Sequence, residues 1–477
     1  MASIVSTPAG SSTVEHVQGK YTVPLIILTT LFFMWGFITC MNDILIPHLQ
    51  GIFKLTPTQA GFVQSAFFGA YFFISLGYFL FSVNLGDPFA KIGYKYGIIT
   101  GLVIAAMGCA LFYPAAEAVS FPLFLVALFI LASGIAVLQM TANPYVALLG
   151  PPATASSRLN RAQAFNSLGT TIAPVVGAIL IFDAVGGQEH LAGEAVKAPY
   201  IGLATALLVI AIMIFISKLP KVTGEFIEPG LGVLKYSHLT LGVLAIFMYV
   251  GGEVAIGTFL VRYFQELMGY TETVAAGYLS YFWGGAMIGR FIGAISLTDQ
   301  PARSKAVGMA LITAITVTVV FLLVYQKTNS SDEALSMAMI IFGMILFNIV
   351  AFMIGKSSPA RTLSVFALFV VGLLIVSVVS NGGLAMWSVI AIGLFNSIMF
   401  PTIFTLAIRD LGKYTTQGSA LLVMAIVGGA IIPPLMGTIV TALGGQYQNG
   451  FLFPILCYLY IVYYGAIGYK VKKKATA

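Results

Sequence analysis

Charge is what this sequence has least of. Only 8% of its 477 residues are Asp, Glu, Lys or Arg, and 59% are hydrophobic. A soluble domain averages about 25% charged and about 45–50% apolar residues. So few charges cannot coat a water-facing surface, so most of this surface must meet lipid. Cysteine is nearly missing too. Cys40, Cys109 and Cys457 lie singly in apolar runs, without CxxC or metal-ligand spacing, which leaves them as small hydrophobes inside helices. The four histidines, His16, His48, His190 and His238, are scattered, so the paired constellations of a membrane enzyme are lacking and no metal site is expected. No GxxxxGK[ST] loop is present, which argues against ATP as the energy source. The net charge of +7 comes from cations standing singly in short segments. A nucleic-acid groove would instead need basic residues clustered with aromatic ones. The first 19 residues are polar and Ser/Thr-rich and show no basic-then-apolar leader pattern.

What is present is a succession of apolar runs, each near the roughly 20 residues a membrane helix needs. Six runs, near 21–49, 57–83, 96–115, 119–149, 161–183 and 198–218, precede a polar stretch at 220–237. Eight follow, near 238–268, 273–297, 305–326, 334–355, 361–380, 385–409, 417–442 and 449–470. Fourteen spans put both termini on one side. With that side cytoplasmic, 19 of the 23 Lys and Arg, among them Lys91, Arg158 and Arg290, fall inside; only Lys54, Lys197, Arg262 and Lys327 fall outside. A miscounted span would invert this pattern, and it never inverts. The expected organisation is therefore an N-terminal segment at 1–20, an N-terminal half at 21–219, a linker at 220–237, a C-terminal half at 238–470 and a basic tail at 471–477.

Ionisable groups inside spans are costly and mark functional sites. Two carboxylates stand there: Asp43 in WGFITCMNDILIP and Glu253 in MYVGGEVAIGTF. Protonation would remove the charge of either and change the cost of its burial; the alternative is a structural carboxylate held by a hydroxyl or backbone partner. Amides gather in matching runs. Gln139 and Asn143, four apart, share one helix face, as do Gln163 and Asn166, three apart; Asn42 and Asn396 join them. Amides donate and accept without carrying charge, which suits sugar hydroxyls. Trp35, Tyr249, Tyr281 and Trp283 could stack on a sugar ring. Interhelical hydrogen bonding and packing are the plainer roles for each of these residues taken alone.

An internal echo adds to this. NPYVALLG, a basic loop and TTIAP run from Pro144 to Pro174; FPTIFTLAI, Arg409, GKYTTQGS and GAIIPP run from Pro401 to Pro433. Two related halves would place substrate between them at mid-membrane.

Several segments together carry a family resemblance: FFMWGFITCMNDILIPHLQ, QSAFFGAYFFISLG, LQMTANPYVALLGP, SSRLNRAQAFNSLGTTIAP, YVGGEVAIGTFLVRYF, GRFIGAISL, NSIMFPTIFTLAI and GSALLVMAIVGGAIIPPLMG. The sequence resembles the sugar branch of the major facilitator superfamily, in the L-fucose:proton symporter family, and most closely that family's bacterial glucose/galactose transporters. The resemblance implies an all-α membrane fold of two six-helix halves rocking around a central site. Twelve core helices would leave an inserted pair, near 305–355, outside the core and without a transport role. It also implies a proton-relay role for Asp43. The fucose symporter has its functional acid where this chain has Gln139, and a neutral amide where this chain has Glu253. Glu253 is thus this chain's own coupling candidate, and Gln139 a hydroxyl-binding one. The altered loop motif NLGDPFAKIGYKYG makes Asp87 and Lys91, with Arg158, candidates for cytoplasmic gating.

The expected activity is cation-coupled import of a neutral hexose, glucose or galactose, across a bacterial inner membrane. No cofactor, enzymatic activity, nucleic acid or obligatory protein partner is expected. The co-transported ion is H+, with Na+ left open, and a proton-driven drug or sugar exporter is the alternative.

Overall fold

The structure, a computed structural model, describes residues 22–53, 57–177, 196–220 and 230–471, which form helices joined by short turns. Before the linker run α1 (Thr22–Phe53), α2 (Pro57–Leu85), the short α3 (Pro88–Ile92), α4 (Tyr94–Glu117), α5 (Phe121–Leu148), α6 (Ala155–Gly177) and α7 (Lys197–Ile216). After it come α8 (Ser237–Met268), α9 (Glu272–Ser296), α10 (Ala302–Thr328), α11 (Ser331–Gly355) and α12 (Pro359–Val379). The chain closes with α13 (Gly382–Asn396) leading into α14 (Met399–Ala407), α15 (Thr415–Met424) into α16 (Gly428–Ala442), then α17 (Tyr447–Gly450) and α18 (Leu452–Tyr463). The expected segment 1–20, the expected tail beyond residue 471, the end of the expected span 161–183, and residues 54–56, 184–195 and 221–229 lie outside the described residues.

Local signals start and stop these helices. Thr271 and Ser330 cap α9 and α11 by accepting from the Val274 and Glu333 amides. Gly269 and Asn329 end α8 and α10 in the left-handed conformation.

Among the described residues, twelve helical segments are long and apolar enough to cross a membrane. Two further helices, α6 and α9, at 23 and 25 residues, have the length but are more polar. They pack on each other. Their contacting faces therefore meet protein rather than lipid.

The packing repeats. Helix α1 packs on α6, α2 on α5, and α4 on α5 and α7; after the linker α8 packs on α16, α9 on α13, and α12 on α13 and α18. Helices α10 and α11 have no counterpart in this correspondence. Close crossings hold each repeat together. A Cβ on Gly36 would stand 2.0 Å from the Asn166 carbonyl oxygen across the α1–α6 crossing. In the α8–α16 crossing a Cβ on Gly428 would stand 2.2 Å from the Phe247 carbonyl oxygen. Only glycine lets these backbones approach so closely.

The two sets of helices join at one end of the bundle. Gln417 Nε2 donates to Ser82 Oγ at 2.8 Å, Ser157 Oγ donates to the Ala294 carbonyl at 2.6 Å, and the Ser156 and Thr405 hydroxyls pair at 2.6 Å. Tyr94 and Thr416 meet there as well, 3.2 Å apart.

Two expected single spans, 385–409 and 417–442, are each broken. A 3₁₀ turn, Ala425–Val427, separates α15 from α16, and a turn at Ser397–Ile398 separates α13 from α14. Pro401 accounts for the second break. It has no N–H for the carbonyl four residues earlier, that of Ser397, and its ring crowds that carbonyl. Arg290, counted above among the cytoplasmic-side cations, lies within the last two turns of α9.

Candidate functional site

The break between α13 and α14 frees backbone carbonyls deep in the bundle, and side chains from neighbouring helices take them up. Arg290 Nε donates to the Ser397 carbonyl at 3.1 Å, the carbonyl that Pro401 leaves without a helical partner. The Tyr249 hydroxyl, from α8, donates to the Asn396 carbonyl at 3.0 Å. The Asn396 side chain is held in turn, because Tyr458 from α18 donates to its Oδ1 at 2.9 Å. Asn396 is fully buried, and its Nδ2 has no hydrogen-bond partner among the described residues. An amide clamped at one end and unsatisfied at the other is a candidate ligand donor, since buried polar groups without partners are rare.

Glu253 lies one helical turn after Tyr249, on the same face of α8, and is buried. Its carboxyl feels the charge of Arg290 and the Tyr249 hydroxyl, while its Oε1 has no hydrogen-bond partner among the described residues. Arg290 extends further. Its Nη1 donates to Ser167 Oγ on α6, across the line between the two sets of helices. One guanidinium therefore touches the broken helix and the opposite half, and it lies within electrostatic range of a buried carboxyl. A lysine could not make this fork.

On the other side, α5 carries Gln139 and Asn143, both buried. Gln139 and Trp35 lie within hydrogen-bonding reach of the Tyr71 hydroxyl. Gln139 Oε1 and both polar atoms of the Asn143 side chain have no partner among the described residues. Gln163 is buried in α6. Asn166 differs, since its Nδ2 donates to the Phe32 carbonyl at 3.0 Å and ties α6 to α1. Asn42 and Asp43 belong to α1, but their side chains lie outside the described residues.

Trp283 is 42% exposed and lies over Gly257, whose Cβ would stand 3.0 Å from the indole. Of the gating candidates, Asp87 accepts from the Tyr78 hydroxyl and, at 2.9 Å, from the Phe89 amide, so it orders the turn into α3. Lys91 is exposed at the end of α3. The Arg158 guanidinium donates to the carbonyls of Val146, Ala147, Gly150 and Pro151 and to the Thr154 hydroxyl. It thus gathers the last carbonyls of α5, which have no helical donors.

Arg290, Tyr458, Tyr71 and Ser167 were not singled out by sequence. Pro401 is the signal that could have pointed to Arg290: a proline inside an apolar run frees a carbonyl, and a freed carbonyl at that depth needs a donor.

Comparison with known proteins bears on this geometry. A family model described as Major Facilitator Superfamily matches residues 25–362. A glucose/galactose transporter of Brucella abortus biovar 1 (strain 9-941) is 44% identical over 98% of this chain and 100% of its own length. The L-fucose-proton symporter of Escherichia coli (strain K12) is 33% identical over 93% of this chain and 92% of its own. Among solved structures, the fucose:proton symporter in the outward conformation superposes with a TM-score of 0.73 at 32% identity, covering 94% of this chain and 99% of that one.

Proposed function

This chain belongs to the Major Facilitator Superfamily, and on that footing we propose that it is a proton-coupled symporter importing a neutral hexose such as glucose or galactose. The observation that carries this reading is the meeting of Glu253 with Asn396. An ionisable carboxyl and an amide donor, each with an atom unsatisfied among the described residues, share one buried neighbourhood of Arg290, Tyr249 and Tyr458. The carboxyl can carry the driving proton, and the amide can donate to a sugar hydroxyl. Similarity to glucose/galactose transporters and to fucose-proton symporters over nearly the whole chain supports both halves of the proposal.

Gln139, Asn143 and Gln163 would bind sugar hydroxyls from the opposite half, with Asn42 and Asn166 beside them. Asp43 would act with Glu253 in coupling, a role that rests on family resemblance. Fourteen spans with both termini cytoplasmic, in a bacterial inner membrane, fit the helix lengths and the charge asymmetry. The half at 238–470 would then carry an inserted pair near 305–355, a reading supported by the packing repeat that α10 and α11 stand outside. The joined end of the bundle, where Gln417 meets Ser82, would be the cytoplasmic side, leaving the site reachable from outside.

Coupling requires proton and sugar to favour the same conformation. Arg290 supplies a route. With Glu253 protonated, the guanidinium is left to Ser397 and Ser167; with Glu253 ionised, attraction to the carboxylate competes with the Ser167 contact between halves. Asp87 and Arg158 would order the cytoplasmic turns that must rearrange.

Counterflow of labelled glucose in proteoliposomes tests the substrate. Acceleration by internal galactose or glucose supports the reading. No exchange with any hexose would overturn it and favour a drug exporter.

A further inference from the structure

Helices α10 and α11 were expected to be passengers outside the transport core. Helix α10 conforms. Only 6% of its most apolar stretch is buried in the protein, and Thr313 is its one fully enclosed residue. Helix α11 does not. It packs on α12, α13 and α9, and two turns before its end stands Asn348, fully buried. Asn348 Nδ2 donates to the Leu394 carbonyl at 3.2 Å, the same carbonyl that accepts from Ser397 Oγ at 2.6 Å. Leu394 is two residues before Asn396, at the edge of the break.

From this contact we infer that Asn348 is a positioning residue for the sugar site, setting the break that aims Asn396; the inference rests on the transport reading above. Three observations converge on it. First, an asparagine is a costly choice here, because its Oδ1 has no hydrogen-bond partner among the described residues. A leucine would fill the space without a half-satisfied amide, so stability alone does not account for this residue. Second, its register is locked by aromatic contacts on both sides. The Phe347 ring lies 5.6 Å from that of Phe395 and 4.9 Å from that of Phe369, and the Phe352 ring lies 4.6 Å from that of Phe366. The donor is thereby held against the turn. Third, two other carbonyls at the break are taken by groups of the candidate site, Tyr249 at Asn396 and Arg290 at Ser397. Asn348 completes that set from a helix outside the packing repeat.

A pair of helices added around a two-half transporter would thus act on specificity: its outer member faces lipid and its inner member holds one side of the binding turn.

The test combines transport with a stability cycle. Asn348→Leu is expected to fold and to raise the KM of glucose counterflow about fivefold, the size of one lost neutral hydrogen bond, with Vmax within about twofold and the glucose-to-galactose ratio changed. Asn348→Gln should recover part of the KM shift, and lipid-facing Met353→Ala should change neither constant. The cycle pairs Asn348→Leu with Pro401→Ala and reads thermal unfolding in detergent. Alanine restores an N–H for the Ser397 carbonyl and lets the helix run on, so the Ile398 amide can reach the Leu394 carbonyl. The effect of Asn348→Leu should then shrink in the Pro401→Ala background. Additive effects, or an unchanged KM in a well-folded Asn348→Leu protein, overturn the inference. If the unmodified protein shows no hexose counterflow, the transport reading falls by itself, and the cycle still decides whether Asn348 sets the break.

Discussion

Arg290 Nε meets the Ser397 carbonyl at 3.1 Å, in the place where Pro401 denies that carbonyl a helical donor. A proline on one helix and an arginine on another are therefore parts of one device. The same arginine reaches Ser167 across the halves and lies within electrostatic range of Glu253. Replacing it with lysine keeps the charge but loses the fork. Arg290→Lys is expected to slow the initial rate of glucose counterflow about fivefold, the weight of roughly one hydrogen bond. Its unfolding temperature should change little, since single polar contacts in membrane bundles average about 0.6 kcal/mol.

Pro401→Ala should separate stability from transport. Proline inside a helix is unfavourable by about 3 kcal/mol, so the alanine protein is expected to unfold at the same or a higher temperature. Its helix would straighten and turn Asn396 away, raising the KM for glucose about tenfold, the factor that 1.4 kcal/mol of binding carries. Detergent melting curves and counterflow kinetics on one preparation read both effects.

Tyr458→Phe removes the hydroxyl that holds Asn396 Oδ1. A buried acceptor left unsatisfied costs about 1–3 kcal/mol, and the amide is free to turn. The KM should rise about fivefold or more, whereas Tyr463→Phe, on an exposed side chain, should leave it unchanged.

Glu253→Gln preserves shape and removes the titratable group. Counterflow, which needs no net proton movement, should persist. Gradient-driven accumulation should fall by roughly five- to 150-fold, the range that coupling energies of about 1–3 kcal/mol produce.

The helices were legible because a bilayer demands long apolar runs, and the run boundaries fall within a few residues of most helix ends. Glu253 and Asn396 were legible because polar groups stand out against such runs, and the structure brings them together through Tyr249 and Tyr458. Arg290 was missed because a cation near a helix end reads as a loop anchor; only the fold reveals which carbonyl it faces. Asn348 was missed for a related reason. Its run looked like an insertion, and a lone asparagine in it gave no sign of the turn on α13 that it touches. Breaks and the groups that heal them are relationships between helices, and a one-dimensional pattern does not carry them.

The most direct measurement is uptake of radiolabelled glucose into proteoliposomes under an imposed inward proton gradient, with Asp43→Asn and Glu253→Gln in parallel. A proton-coupled symporter concentrates the sugar above the outside level, and each substitution cuts that accumulation by roughly five- to 150-fold while exchange continues. Equilibration that ignores the gradient, or accumulation that survives both substitutions, would contradict proton coupling through these carboxylates.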